Sequence, residues 1–201
     1  MKKASLVILI SGNGSNLQVI LDACQSGLLK ADVTAVISNR QDAYGLVRAR
    51  NAGVPAILKH ADKRVDRKEF DSELAELVDG YHPDLIILAG WMRILTIAFI
   101  RRFPQRIINL HPALPGTFPG VHAIERAFDA YQRGEITQTG VMVHYVPDEG
   151  VDIGPVITRQ VVPIYPSDTI DDLEERVHVC EHELLIETIQ KLVGQMEEGH
   201  A

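Results

Sequence analysis

Hydrophobic residues gather in short, almost unbroken runs at Leu6 to Ile10, Val33 to Ser38, Pro55 to Leu58, Leu85 to Ala89 and Ile107 to Leu110. Continuous apolar runs of this length suit strands buried on both faces, as in parallel sheets. Between them the spacing becomes helical. Leu17, Ile20, Leu21 and Cys24 share one face, and Phe70, Leu74, Leu77 and Val78 share another. Alternating strands and helices with short links predict right-handed crossovers and a doubly wound α/β fold built on a mostly parallel sheet.

After Asn109 the pattern changes. The stretch His111 to His122 holds Pro112, Pro115, Gly116, Pro119 and Gly120, too many breakers for a regular element, so it reads as a shaped loop. A helix follows from about Ala123 to Arg133. Gly140 to Val146 and Val156 to Pro163 read as two strands close enough in sequence to pair antiparallel near one edge of the sheet. Ser167-Asp168-Thr169 can cap a long last helix, whose Leu173, Val177, Leu184, Ile189, Leu192 and Met196 form an apolar stripe.

With 201 residues and no repeat, low-complexity tract or linker, the chain reads as one domain over 1–201. Hydrophobic residues at 46% and charged residues at 23% place it among globular proteins. A net charge of −7 supplies no basic field, so a nucleic-acid partner is not expected. Cys24 and Cys180 lack metal-type spacing and read as free thiols in a reducing compartment. The apolar stretch after Lys2 and Lys3 ends in Ser11-Gly12-Asn13-Gly14-Ser15-Asn16, too soon for a secretory signal, and no run is long enough for a membrane span. These features predict a cytoplasmic protein with no membrane partner.

In doubly wound sheets, ligands bind beyond the carboxyl ends of the strands where the strand order reverses. A 3-2-1-4 order puts the loops Ser11 to Asn16 and Gly90 to Leu95 at that switch, with Asn109 and His111 delivered to the same rim by the fifth strand. The first loop follows a strand and opens a helix, a setting in which backbone N–H groups and the helix dipole can hold a phosphate. It lacks the lysine of a nucleotide-hydrolysing loop and the third glycine of a dinucleotide site, where Leu17 stands. Arg40, after the second strand, keeps an NADP-binding oxidoreductase as an alternative.

Asn109 and His111, two apart on a strand, point the same way and can face one carbonyl oxygen. Asp152, on the acidic turn Asp148 to Gly154, can bias an imidazole towards its charged form. His122 and His144 can line the same pocket, while His60, His82 and His200 read as surface residues. His178 and His182 flank Glu181 without an evident third ligand, so no metal is expected. There is no nucleophile elbow and no cysteine with an obvious base, which leaves covalent catalysis without a candidate.

Ser-Gly-Asn-Gly-Ser-Asn at 11 to 16, Gly-Trp-Met-Arg-Ile-Leu at 90 to 95, Asn-Leu-His-Pro at 109 to 112 and Val-Asp-Ile-Gly-Pro at 151 to 155 together closely resemble the phosphoribosylglycinamide formyltransferases, in order and over essentially the whole chain. The resemblance implies a Rossmann-like formyltransferase fold. It also implies formyl transfer from 10-formyltetrahydrofolate, as co-substrate, to glycinamide ribonucleotide in purine biosynthesis, with no metal, and it leaves a homodimer open.

Carried over by position, Asn109, His111 and Asp152 fall on the catalytic triplet, with His111 protonated and Asp152 assisting proton transfer. Asn13, Gly14, Ser15 and Asn16 fall on the phosphate site, joined by Arg67, and Glu181 on the ribose site. Met92, Arg93, Ile94 and Leu95 match the folate-lining segment, with Arg93 facing the glutamate tail. Two stretches depart from the family pattern: Pro112-Ala113-Leu114-Pro115-Gly116, and the interval from His144 to Asp152, which is one residue longer. The nearest alternatives are a formyltetrahydrofolate hydrolase and a methionyl-tRNA formyltransferase. Those enzymes would carry an added N-terminal or basic C-terminal domain, respectively.

Overall fold

A computed structural model describes residues 3–60 and 64–198. His200, expected at the surface, lies outside the described residues. The strands are β1 (Ala4–Ile10), β2 (Ala31–Ser38), β3 (Ala56–Leu58), β4 (Leu85–Leu88), β5 (Ile107–His111), β6 (Gln138–Tyr145) and β7 (Val156–Pro163). The helices are α1 (Ser15–Gln25), α2 (Gly45–Asn51), α3 (Arg67–Asp79), α4 (Ile97–Ile100), α5 (Ala123–Gln132) and α6 (Ile170–Glu198). The sheet runs β3-β2-β1-β4-β5-β6-β7, parallel from β3 to β5 and antiparallel from β5 to β7. That is the expected fold class, including the 3-2-1-4 order. The helical spacing had not marked the short α2 and α4.

Alternation along the strands divides the core into two layers. Leu6, Ile8, Ile10, Leu85, Ile87, Ile108 and Leu110 face the side covered by α1 and α6. Val7, Leu9, Ile86, Leu88 and Ile107 face the side covered by α3 and α4. Asn109 and His111 continue the second set at the end of β5, where the covering helices stop. The strand therefore has polar residues where the core gives way to a cleft.

The α6 stripe packs as expected, with Leu173, Val177, Leu184, Ile189 and Leu192 buried and Met196 partly so. Of the three candidate caps, Thr169 does the work. Its Oγ accepts from the Asp172 N–H at 3.2 Å, and the Asp172 carboxylate accepts from the Thr169 N–H at 2.8 Å. This reciprocal arrangement satisfies two donors at the helix start. Asp168 instead forms a two-pronged pair with Arg176 at 2.7 and 2.8 Å. Thr169→Ala is expected to cost about 1 kcal/mol in urea unfolding. An unchanged midpoint would show that the cap contributes nothing.

Candidate active site

Three strand ends and two returning loops build the site. Ser11, just past β1, ties the first two together: its N–H donates to the Gly90 carbonyl at 3.0 Å, and its Oγ accepts from the Met92 N–H at 2.9 Å and donates to Asn39 Oδ1 at 2.6 Å. The loops expected at the switch point are thus stitched together by hydrogen bonds.

The 11–16 loop opens α1 without a side-chain cap, because Gly14 occupies the N-cap position in a left-handed conformation, φ 78°. The first-turn N–H groups of α1 are thereby left available to an anion. A side chain at Gly14 would also run into Gly45 Cα, at 2.8 Å, so the glycine lets α2 close against the loop. Arg48 of α2 then grips Asn13, donating from Nε to its carbonyl at 2.9 Å and from Nη2 to its Oδ1 at 2.8 Å. No motif marked Arg48, since its partner lies 35 positions away.

A cavity of about 790 Å³ opens beyond β4 and β5, lined among others by Met92 to Leu95, Asn109, His111, His122, His144 and Asp152. Met92 and Ile94 are exposed, which gives its rim an apolar character suited to a ring-bearing ligand. Two carboxylates pin this wall: the buried Asp71 accepts from the Thr96 N–H at 2.6 Å, and Glu149 of the acidic turn accepts from the Ile97 N–H at 2.9 Å. Arg93 lines the cavity, but its guanidinium stacks on Phe70 of α3, 4.5 Å from the ring centroid. Arg67 lies behind the same wall, donating to the Ile94 carbonyl at 2.9 Å.

At the closed end Asn109, His111 and Asp152 converge. Asn109 Nδ2 donates to Asp152 Oδ1 at 2.9 Å, the Gly120 N–H donates to Asp152 Oδ2 at 2.7 Å, and His111 Nδ1 stands 3.3 Å from the same Oδ2. Asp152 adopts a left-handed φ of 56°, a strained conformation for a non-glycine residue that recurs at functional sites. His144 joins them because it is the cross-strand neighbour of Asn109, beside a register shift in β6. Its Nδ1 faces the Tyr145 carbonyl at 2.8 Å and must carry a proton, so Nε2 is left to accept from Asn109 Nδ2 at 3.2 Å. Both amide hydrogens of Asn109 are therefore engaged at rest, and an incoming oxygen must displace one of these partners.

The same logic sets the tautomer of His111. Its Nε2 faces the Phe118 carbonyl at 3.1 Å and carries the proton, which leaves Nδ1 towards Asp152. Burial pushes this imidazole below its ordinary value, outweighing the opposing pull of Asp152 and of the Phe118 carbonyl, while His144 and Arg126 push the same way as burial. The resting imidazole therefore favours its neutral form, because the cost of burying the charge exceeds what one carboxylate returns. Burial acting alone would raise the Asp152 carboxyl. The neighbouring His144, the Gly120 N–H and, whenever it is protonated, His111 outweigh it and hold Asp152 below the usual carboxylate range.

Among the sequence candidates, the structure joins the triplet and the 92–95 segment around one cavity, whereas Asn13 to Asn16, Arg67 and Glu181 do not line it. Glu181 is buried on α6 and accepts from His178 at 2.7 Å, which raises the His178 imidazole above its ordinary value. His182 adds no third ligand, and no group of three or more His, Cys, Asp or Glu is placed to hold a metal among the described residues.

The family model described as "Formyl transferase" matches residues 4–189. The chain is 49% identical to the phosphoribosylglycinamide formyltransferase of Schizosaccharomyces pombe, over 94% of this chain and 97% of that one. It is 44% identical to the enzyme of the same name from Escherichia coli, over 89% and 82%. The crystal structure of glycinamide ribonucleotide transformylase 1 from Symbiobacterium toebii superposes with a TM-score of 0.88 at 41% identity, covering 96% of this chain and 89% of that one.

Proposed function

The chain belongs to the formyl transferase family, and we propose on that premise that it moves the formyl group of 10-formyltetrahydrofolate to the amine of glycinamide ribonucleotide, as a single formyltransferase domain in de novo purine biosynthesis. The observation that carries this reading is near-full-length identity of 49% and 44% to relatives named for that reaction. The cavity supports it, since an apolar rim leading to a closed polar end suits a formyl-bearing ring system. Free Cys24 and Cys180 fit a cytoplasmic setting, and no helix among the described residues is long and apolar enough to cross a membrane.

In this reading the folate ring occupies the space beside Met92 to Leu95, with the formyl carbon at the Asn109 end. The ribonucleotide phosphate rests on the Asn13 to Asn16 loop, the ribose reaches Glu181, and Arg67 supports the shared wall. The amine nitrogen attacks the formyl carbon, and the carbonyl oxygen becomes an oxyanion. One Asn109 N–H, released from His144 or Asp152, turns to that oxygen. The proton lost by the amine passes to His111 Nδ1, and the imidazolium, held between Asp152 and the Phe118 carbonyl, stabilises the oxyanion through its charge. When the carbon–N10 bond breaks, a proton returns to N10, directly or through water. His111 thus starts neutral, as its burial demands, and is charged only while there is an anion to meet.

Incubating the purified protein with 10-formyltetrahydrofolate, with and without glycinamide ribonucleotide, tests the assignment. Tetrahydrofolate release is expected only when the ribonucleotide is present. Equal formate release without it would favour a hydrolase, and no turnover in either case would overturn the reading.

A further inference from the structure

The turn at 118–122 touches both ionisable members of the triplet: the Phe118 carbonyl accepts from His111 Nε2, and the Gly120 N–H donates to Asp152. This turn is not relaxed backbone. Phe118 and His122 hold left-handed φ values of 46° and 57°, and Gly120 holds 81°. A non-glycine residue in that region costs about 1 to 2 kcal/mol, and persists only where its surroundings hold it there.

Arg126, one turn into α5, does the holding. Its Nη2 donates to the Phe118 and Pro119 carbonyls, each at 2.7 Å, and its Nε donates to the His122 carbonyl at 3.3 Å. The planar fork of a guanidinium can serve three carbonyls in one place, which an ammonium on a flexible stem cannot. The Phe118 oxygen is therefore shared, receiving Arg126 on one side and His111 on the other.

We propose that Arg126 is a positioning residue of the reaction: it clamps the 118–122 turn and, through the Phe118 carbonyl and the Gly120 N–H, fixes the orientation of His111 and Asp152. Arg126 is absent from the residues that line the cavity, so its effect is transmitted through the turn. It also contributes charge. Asp152, His144 and Arg126 are the ionisable groups acting on His111, and Arg126 and His144 oppose its protonation while Asp152 favours it. Removing Arg126 should thus have two separable effects, a looser imidazole and one that protonates more readily.

The kinetic half of the test rests on the transferase reading above; the titration half does not. Arg126→Gln is expected to lower kcat by about 10-fold or more, in line with small displacements of a reacting group, and to leave KM for both substrates within about 2-fold. The His111 imidazole resonance, followed by NMR, is expected to titrate at higher pH than in the parent. Arg126→Lys keeps the charge but not the fork, so it should recover part of kcat and keep the parental titration midpoint. Parental kcat in Arg126→Gln would overturn the proposal, as would a kcat loss with an unmoved His111 midpoint, which marks a merely structural role. If Arg126→Gln does not fold, parental kcat in Arg126→Lys overturns it instead. An inactive parent would be a failure of the transferase reading alone, with the titration still deciding the role of Arg126.

Discussion

Asp152→Asn is expected to lower kcat by about 100-fold or more, the range lost when a positioned proton-transfer group is removed, while the protein stays folded. The replacement is isosteric, yet the site cannot accommodate it. Asn109 Nδ2 and the Gly120 N–H both donate to Asp152, one to each oxygen. An amide has one oxygen, so whichever way it turns, its NH2 meets a donor. His111 loses its counter-charge as well. Asn109→Ala and His111→Ala should each lower kcat by about 100- to 1000-fold, because the first removes a donor aimed at the oxyanion and the second the group that takes the amine's proton and sets its positive charge beside that oxygen. Combining Asn109→Ala with Asp152→Asn should cost little more than the worse single change, since the two side chains act through one hydrogen-bonded unit. Near-parental turnover in all three folded single variants would falsify the assigned site.

The pH dependence carries a sign. His111 must start neutral to accept the amine's proton, and its imidazole lies below the ordinary value. The acid limb of kcat/KM that belongs to His111 should therefore fall below pH of about 6.5. Asp152 raises the His111 imidazole, so in Asp152→Asn that limb moves to lower pH. Arg126 lowers it, so in Arg126→Gln the limb moves to higher pH. Opposite displacements from two changes either side of one ring are hard to produce by general loosening. Shifts of the same sign in both variants would mean that something other than His111 is titrating.

What could be read from the sequence was whatever is local. Five apolar runs became five parallel strands, and the breakers between His111 and His122 became a loop, because strand burial and turn chemistry depend on neighbours in sequence. The triplet was legible through its motifs, though the spacing of Asn109 and His111 alone was weak. Its supports were not legible. His144 reaches Asn109 only through the β5–β6 register, Glu149 pins Ile97 from 52 positions away, and Arg48 grips Asn13 from 35. Arg126 lies close in sequence to its partners, but its targets are backbone carbonyls, which leave no trace in residue identity. The resting charge state of His111 was illegible for a related reason. A neighbouring carboxylate could be guessed from the acidic turn, whereas the depth of burial that outweighs it could not.

Gly154→Ala tests whether the turn that carries Asp152 is as tightly set as the hydrogen bonds suggest. A Cβ at Gly154 would overlap the Tyr145 carbonyl oxygen and sit 2.9 Å from Pro147 Cδ. The first obstacle is backbone, so no rotamer change relieves it, and that oxygen already accepts from His144 Nδ1. The Tyr145 N–H, in turn, donates to the Pro155 carbonyl at 2.9 Å. Relief therefore requires separating β6 from the start of β7. The expected cost is about 3 kcal/mol or more, at the upper end of overpacking penalties, and a Tm lower by roughly 6 to 12 °C for a chain of this size. Gly194→Ala provides the opposite control, since nothing lies within 4 Å of its Cβ in α6; exchanging a helical glycine for alanine should stabilise by about 0.5 to 1 kcal/mol. The folded fraction of Gly154→Ala should also turn over more slowly, because the displaced oxygen fixes the His144 tautomer and Asp152 stands two residues away. Parental stability in this variant would mean that β6 and the acidic turn part without cost, and the geometry of Asp152 would then have to be imposed by the substrates instead of being built into the fold.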